Sequence, residues 1–175
     1  MFISLLTKPT GIVYFLLNHR PDFKDHLLGA GIAKVSFDPS TTKHHPIPTV
    51  SRQGKFWWDA ENEPWYGDIC ALRSGSHIYA YGHAKDSPYI YLARVNAADA
   101  LYLNAYEYWN GEGWQSERLT KDEFGEKQSV FWQINQGQIY YSKFHGCFVF
   151  VYCDNFWSCQ VLVCSQPLFP LPKAV

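Results

Sequence analysis

Three stretches of this chain set a carboxylate among aromatic rings, the combination from which sugar-binding and sugar-cleaving sites are built. In WYGDI, Asp68 follows Trp65 and Tyr66 across a single glycine. In AYEYWNGEGW, residues 105–114, Glu107 stands between two tyrosines and ahead of Trp109 and Trp114. In CDNFWSC, Asp154 precedes Trp157. Glycosidic hydrolysis takes two carboxyl groups about 5 to 9.5 Å apart, one giving a proton and the other acting as base or nucleophile. Which carboxylates work together depends on where the fold sets them.

Other chemistry is poorly represented. No Ser-His-Asp arrangement, GxSxG elbow or phosphate loop is present. The cysteine and histidine spacings match no zinc pattern, so neither a metal nor a cofactor is expected. His44 and His45 fall in PSTTKHHPIPT, a loop where solvated histidines are the ordinary outcome. Fifteen Lys plus Arg against sixteen Asp plus Glu give no charge excess for nucleic acid or an anionic membrane. No apolar run approaches the roughly 20 residues that span a bilayer. MFISLLTKPTG makes a poor signal peptide, because its apolar stretch is short and no basic region precedes it. Five cysteines cannot all pair with one another. Cys153 and Cys159 bracket a hairpin turn, where a cross-strand disulfide is geometrically plausible and free thiols are the alternative.

The elements that would carry these residues are strands. Aromatics make up 18% of the chain and favour pleated structure. Short apolar or alternating runs (GIVYFLL, GAGIAKVSF, DICAL, HIYAYGH, YIYLARV, QIYYS, CFVFVYC, CQVLVCS) are separated by turn chemistry such as RSGS, KDSP, NGEG and FHG. Only NAADALYL and LTKDEFGE could hold a helical turn or two. The fold class is all-β. Residues 67–95 and 137–165 superpose without gaps at an offset of 70, Ile69 on Ile139 and Leu92 on Leu162. A broken third copy lies upstream, with IAKV matching LARV 60 residues later. Repeats of three or four antiparallel strands at such a period indicate a β-propeller. Blade one would span 11–57, incomplete and starting at its second strand; blade two, 67–109; blade three, 137–164, also incomplete. Two to three blades do not close a ring, since propellers have at least about four. The expectation is therefore a partial propeller.

The ordered series GAGIAKVSFDP, KFWWDAENEPWYGDICAL, HIYAYGH, YIYLARV, AYEYWNGEGW and FVFVYCDNFWSCQVLV resembles the successive motifs of a family of uncharacterised, mostly fungal, secreted proteins. The resemblance covers nearly all of residues 11–164. It implies a five-bladed β-propeller similar to glycoside hydrolases, an extracellular location and carbohydrate as ligand. The chain departs from the family after Val163, where VLVCSQPLFPLP replaces the usual ending. The family supplies no agreed catalytic residues, so the site is argued from geometry.

In a propeller, the start of each innermost strand and the turn between the second and third strands share one face. Asp68 would open the innermost strand of blade two, with Gln138 at the matching position of blade three. Asp68 is the first choice for acid or base and Asp154 the second; the alternative for Asp68 is to accept backbone N–H bonds at the turn after Gly67. His83 and Asp86, with His19 and Arg20 half a blade upstream, fall on the same turns, where capping or solvated roles compete. Asp154 could instead cap its own turn. Trp65, Tyr66 and Trp157 could stack a sugar ring, or fill a propeller core. AYEYWNGEGW falls on an outer strand and its turn, with Tyr106 and Tyr108 on one face and Glu107 on the other. Trp109 and Trp114 are expected to seal one blade against the next. Three readings follow: a glycoside-hydrolase-like enzyme, a non-catalytic carbohydrate- or protein-binding propeller, or an inactive fragment.

Overall fold

The computed structural model describes residues 2–4, 10–37, 47–154 and 158–164. His44, His45, Asn155 and Trp157 lie outside the described residues. The described chain is all-β, and its strands form three antiparallel sheets, none of them closed. Helical structure among the described residues is limited to three short 3-10 turns, none long and apolar enough to cross a membrane. One of these turns falls where the sequence allowed it, within LTKDEFGE. Lys121–Glu123 carries a capping box between Thr120 and Glu123, whereas Leu103–Ala105 begins only at the last residue of NAADALYL.

Sheet one holds β1 (Phe2–Ser4), β2 (Thr10–His19), β3 (His26–Ser36) and β4 (Thr49–Arg52), with β5 (Trp58–Asp59) pairing the early part of β3. Sheet two runs from β6 (Cys70–Ser74) through β7 (His77–Gly82), β8 (Tyr89–Asn96) and β9 (Glu107–Trp109) to β10 (Trp114–Gln115). To it is added β11 (Phe131–Trp132), on the early part of β8. Sheet three is β12 (Ile134–Ser142), β13 (Cys147–Asp154) and β14 (Cys159–Cys164). A strand ahead of GIVYFLL, β1, pairs antiparallel with β2 at the edge of sheet one.

Two hydrophobic cores join the three sheets in chain order. Core one draws Ile12, Tyr14, Ile32 and Trp58 from sheet one, and Ala71, Ala80, Ala93 and Tyr108 from sheet two. Core two draws Cys70, Tyr81 and Leu92 from sheet two, and Ile139 and Phe150 from sheet three. Period-2 alternation accounts for this division: in β7 and β8, Ala80 and Ala93 face one way, and Tyr81 and Leu92 the other. The first strands lie together, β6 against both β1 and β12.

The repeat is visible in hydrogen bonds as well as in strand order. Trp57 N–H donates to Ala30 O at 2.8 Å, and Val130 N–H donates to Ile90 O at 2.8 Å. Ala60 N–H to Leu28 O and Gln133 N–H to Pro88 O repeat the relation at 3.2 and 2.9 Å. Both acceptors move by 60 positions, the interval between IAKV and LARV. The 70-residue offset fares differently. Ile32 and Leu92 both face the next sheet in the chain, whereas Leu162 faces back toward sheet two. Leu92 and Leu162 thus look at each other across core two, because a slip of one residue reverses every side chain of a strand.

The opening aromatic stretch falls on β9 and its turn. Tyr106 and Tyr108 enter core one, and Glu107 pairs with Arg94 on the neighbouring strand at 2.7 Å. Trp109 and Trp114 pack on core two, edge to face at 5.6 Å. Phe150 is only 1% exposed and sits between Phe131 and Tyr152, with ring centroids 5.2 and 4.9 Å away. Truncation to alanine opens a cavity that the two rings cannot fill. Phe150→Ala is expected to lower unfolding stability by about 3–5 kcal/mol, read from denaturant midpoints. A loss under about 1 kcal/mol would show that core two is not packed as described.

Candidate functional site

Asp68 and His83 are brought together by the approach to β6 and the end of β7. The segment before β6 lies along β7: Gly67 N–H and Ile69 N–H both donate to Tyr81 O, at 3.0 and 3.3 Å, and Trp65 N–H donates to His83 O at 2.7 Å. Two glycines permit this approach. Gly82 passes so near the Trp65 carbonyl that a Cβ would lie 2.3 Å from its oxygen. Gly67 has φ +93° and meets the Tyr14 ring where a Cβ would be.

At this crossing Asp68 Oδ1 accepts the His83 backbone N–H at 3.1 Å, and Oδ2 accepts from His83 Nδ1 at 2.7 Å. The other ring nitrogen, Nε2, reaches Ile134 O of β12 at 2.6 Å. A carboxylate and a carbonyl both accept, so the arrangement suits an imidazolium with hydrogen on both ring nitrogens. Burial by itself would lower the His83 pKa. The hydrogen bond from Asp68, its negative charge and the Ile134 carbonyl outweigh burial, and the pKa is raised. The ion pair is largely enclosed, with side-chain exposure of 9% for Asp68 and 23% for His83. It clamps sheet two to the first strand of sheet three. Each carboxylate oxygen already holds a bond from His83, and the imidazole has no nitrogen left for a substrate.

The other residues singled out by sequence are distributed as follows. Asp154 is the register partner of Ile134, so it comes to the same end of the stack as Asp68 and His83. Its Oδ1 accepts Ser158 N–H at 2.9 Å, the turn-capping arrangement. Gln138 is not placed like Asp68: β12 begins at Ile134, which puts Gln138 in mid-strand opposite Val151. Trp65 is half-buried, with its ring 6.3 Å from that of His83 and its indole N–H bonded to Ala60 O. Tyr66 is 1% exposed and packs on Trp58 and Tyr108, so it offers no face to a sugar. Its hydroxyl is buried without a hydrogen-bond partner among the described residues. Asp86, at φ +55°, lines a polar cleft of about 470 Å³ with Lys85, Glu61 and Lys121. His19 ends β2, as His83 follows β7, and Arg20 is exposed and bound to Asp25.

A larger cleft, of about 670 Å³, lies on the outer side of sheets one and two. Trp57 and Gln53 come from the segment after β4, Tyr102 and Asn104 from the β8–β9 connection, and Ser116 and Arg118 from beyond β10. Tyr108 and Arg52 also line it. Tyr102 is 62% exposed. Arg118 is held by Glu63 at 2.8 Å and by the Trp57 carbonyl. Glu63 is itself raised in pKa, first by burial, against the Asp59 backbone bond and Arg118. Among the described residues no carboxylate lines this cleft. Sequence reasoning passed over it because its residues come from connections, where neither period nor motif marks them. The available signal was the aromatic pair of KFWWD, in which Trp58 pairs with Ala30 of β3 and Trp57 N–H bonds the Ala30 carbonyl. Among the described residues no three His, Cys, Asp or Glu side chains gather as metal ligands.

The raised His83 pKa gives stability a sign. Below about pH 6.5, the ordinary histidine value, folded and unfolded chains both carry the proton and the ion pair contributes fully. As pH rises through the raised folded value, the folded chain also loses its proton and that contribution disappears. The urea midpoint is therefore expected to fall on passing from pH 6 to above the folded pKa. Asp68→Asn should remove that dependence and lower stability at pH 6 by about 2 kcal/mol. An unchanged slope in the variant would assign the pH dependence to other groups. No protein-family model matches the chain, and no match is found among the curated proteins.

Proposed function

We propose that the three sheets are consecutive blades of a β-propeller, and that the protein binds carbohydrate without cleaving it. The observation that carries the binding reading is the cleft of Trp57, Tyr102, Gln53, Asn104 and Arg118, which combines ring faces with amide and guanidinium donors. Aromatic faces take the apolar side of a sugar ring, and planar polar groups take its hydroxyls. Hydrolysis would need two carboxyl groups at the ligand, and the described residues of this lining supply none. Asp68, the best carboxylate by sequence, is committed to His83. The propeller reading is supported by the chain-order stacking, the shared approach of β1, β6 and β12, and the 60-residue hydrogen-bond repeat. The resemblance to secreted, glycoside-hydrolase-like proteins supports carbohydrate as the ligand class and an extracellular setting.

The test is titration of the full chain against a panel of plant and fungal oligosaccharides, with product analysis in parallel. Binding without release of reducing ends is expected. Tyr102→Ala should weaken it at least about 10-fold, since stacked rings carry a large share of such sites, and should leave thermal stability unchanged. Asp68→Asn should bind as the parent does, once folded. Products that disappear in Asp68→Asn would restore the hydrolase reading, and failure of every glycan to bind would remove the carbohydrate reading.

A further inference from the structure

Cys153 is the penultimate residue of β13, Cys159 opens β14, and the two are register partners. The neighbouring pair is hydrogen-bonded, Asp154 N–H donating to Ser158 O at 3.1 Å. Hydrogen-bonded and non-hydrogen-bonded pairs alternate along an antiparallel ladder, so Cys153 and Cys159 form a non-hydrogen-bonded pair. At such a pair the Cα atoms are about 4.5 Å apart and the side chains converge. That spacing lies within the range of about 4.4 to 6.8 Å that a disulfide spans. The sulfurs already lie 3.4 Å apart, and small χ rotations would bring them to the bonding distance of about 2.05 Å. The Asp154 cap on Ser158 holds the hairpin ends in this relation.

We propose that Cys153 and Cys159 are an oxidative modification site whose reagent is a low-molecular-weight disulfide of the glutathione class. The Cys159 thiolate attacks one sulfur of the reagent, forms a mixed disulfide and releases the first small thiol. Cys153 then loses its proton to solvent and attacks the Cys159 sulfur, expelling the second small thiol. Two protein thiols are oxidised by two electrons, and one reagent disulfide is reduced to two thiols. The order follows from access. Cys159 is exposed and Cys153 is half-buried; the hydrogen bond to Cys159 raises the Cys153 pKa. Cys70 takes no part: it is buried in core two, and burial pushes its thiol up to about 12 against a bond to the Ile139 backbone. The bridge would pin β14, which among the described residues pairs only with β13 and is an edge strand of sheet three.

The reaction is followed on the full chain equilibrated in glutathione buffers, by intact mass, non-reducing peptide mapping and thermal melting. The parent is expected to lose two hydrogens and to yield one peptide linking 153 to 159. Its melting temperature should rise by about 5 °C, reversed by reductant. Cys159→Ser should show none of these changes, and comparison of the parent with and without reductant stands even if that variant folds poorly. Thiols that stay open to alkylation in oxidising buffer, a glutathione adduct that never resolves, or a bridge to another cysteine would each overturn the proposal.

Discussion

Sheet two is apolar on both faces, and the rest of the structure depends on covering it twice. Along β7, Ile78 and Ala80 turn toward core one, while Tyr79 and Tyr81 turn toward core two. All four are at most 6% exposed. An antiparallel sheet with one wet face would show polar residues at alternate positions. Here both sets are apolar, so a sheet must lie on each side. Sheet one and sheet three meet that requirement, and the order of stacking follows the order of the chain.

Polar contacts then fix how the covering sheets sit. Tyr14 and Tyr106 join hydroxyls across core one at 3.0 Å, and Trp58 donates to Tyr108 at 3.2 Å. Buried hydroxyls and indoles need partners, so these bonds select one arrangement of the rings among several of similar packing. Across core two the corresponding role falls to the imidazolium of His83, bonded to Asp68 and to Ile134 O. A pair placed at the face where catalysis was expected is thus explained by assembly of the sheets. The cleft that suits a ligand lies elsewhere, where connections rather than strands meet.

Much of the scaffold was legible because strand sequences carry a period. HIYAYGH and YIYLARV became β7 and β8, CFVFVYC became β13, and the paired faces of Tyr106, Tyr108 and Glu107 came out as alternation required. The short strands β5 and β11 have only two residues each, too few for any period, and they escaped notice. The offset between sheets two and three was read from matching hydrophobic types, which cannot tell one face from the other when both faces are apolar. That ambiguity misplaced Gln138. Asp68 and His83 were each singled out, but their mutual bond depends on the tight passage of Gly67 and Gly82, which spacing along the chain does not encode.

Native-state hydrogen exchange tests the double covering of sheet two most directly. Amides of β7 and β8, enclosed on both faces and paired on both edges, should exchange last, near the limit set by global unfolding. Those of β14, with Val161 65% and Val163 60% exposed, should exchange far sooner. Protection of β14 equal to or above that of β7 and β8 would contradict the stacking of one doubly buried sheet between two others.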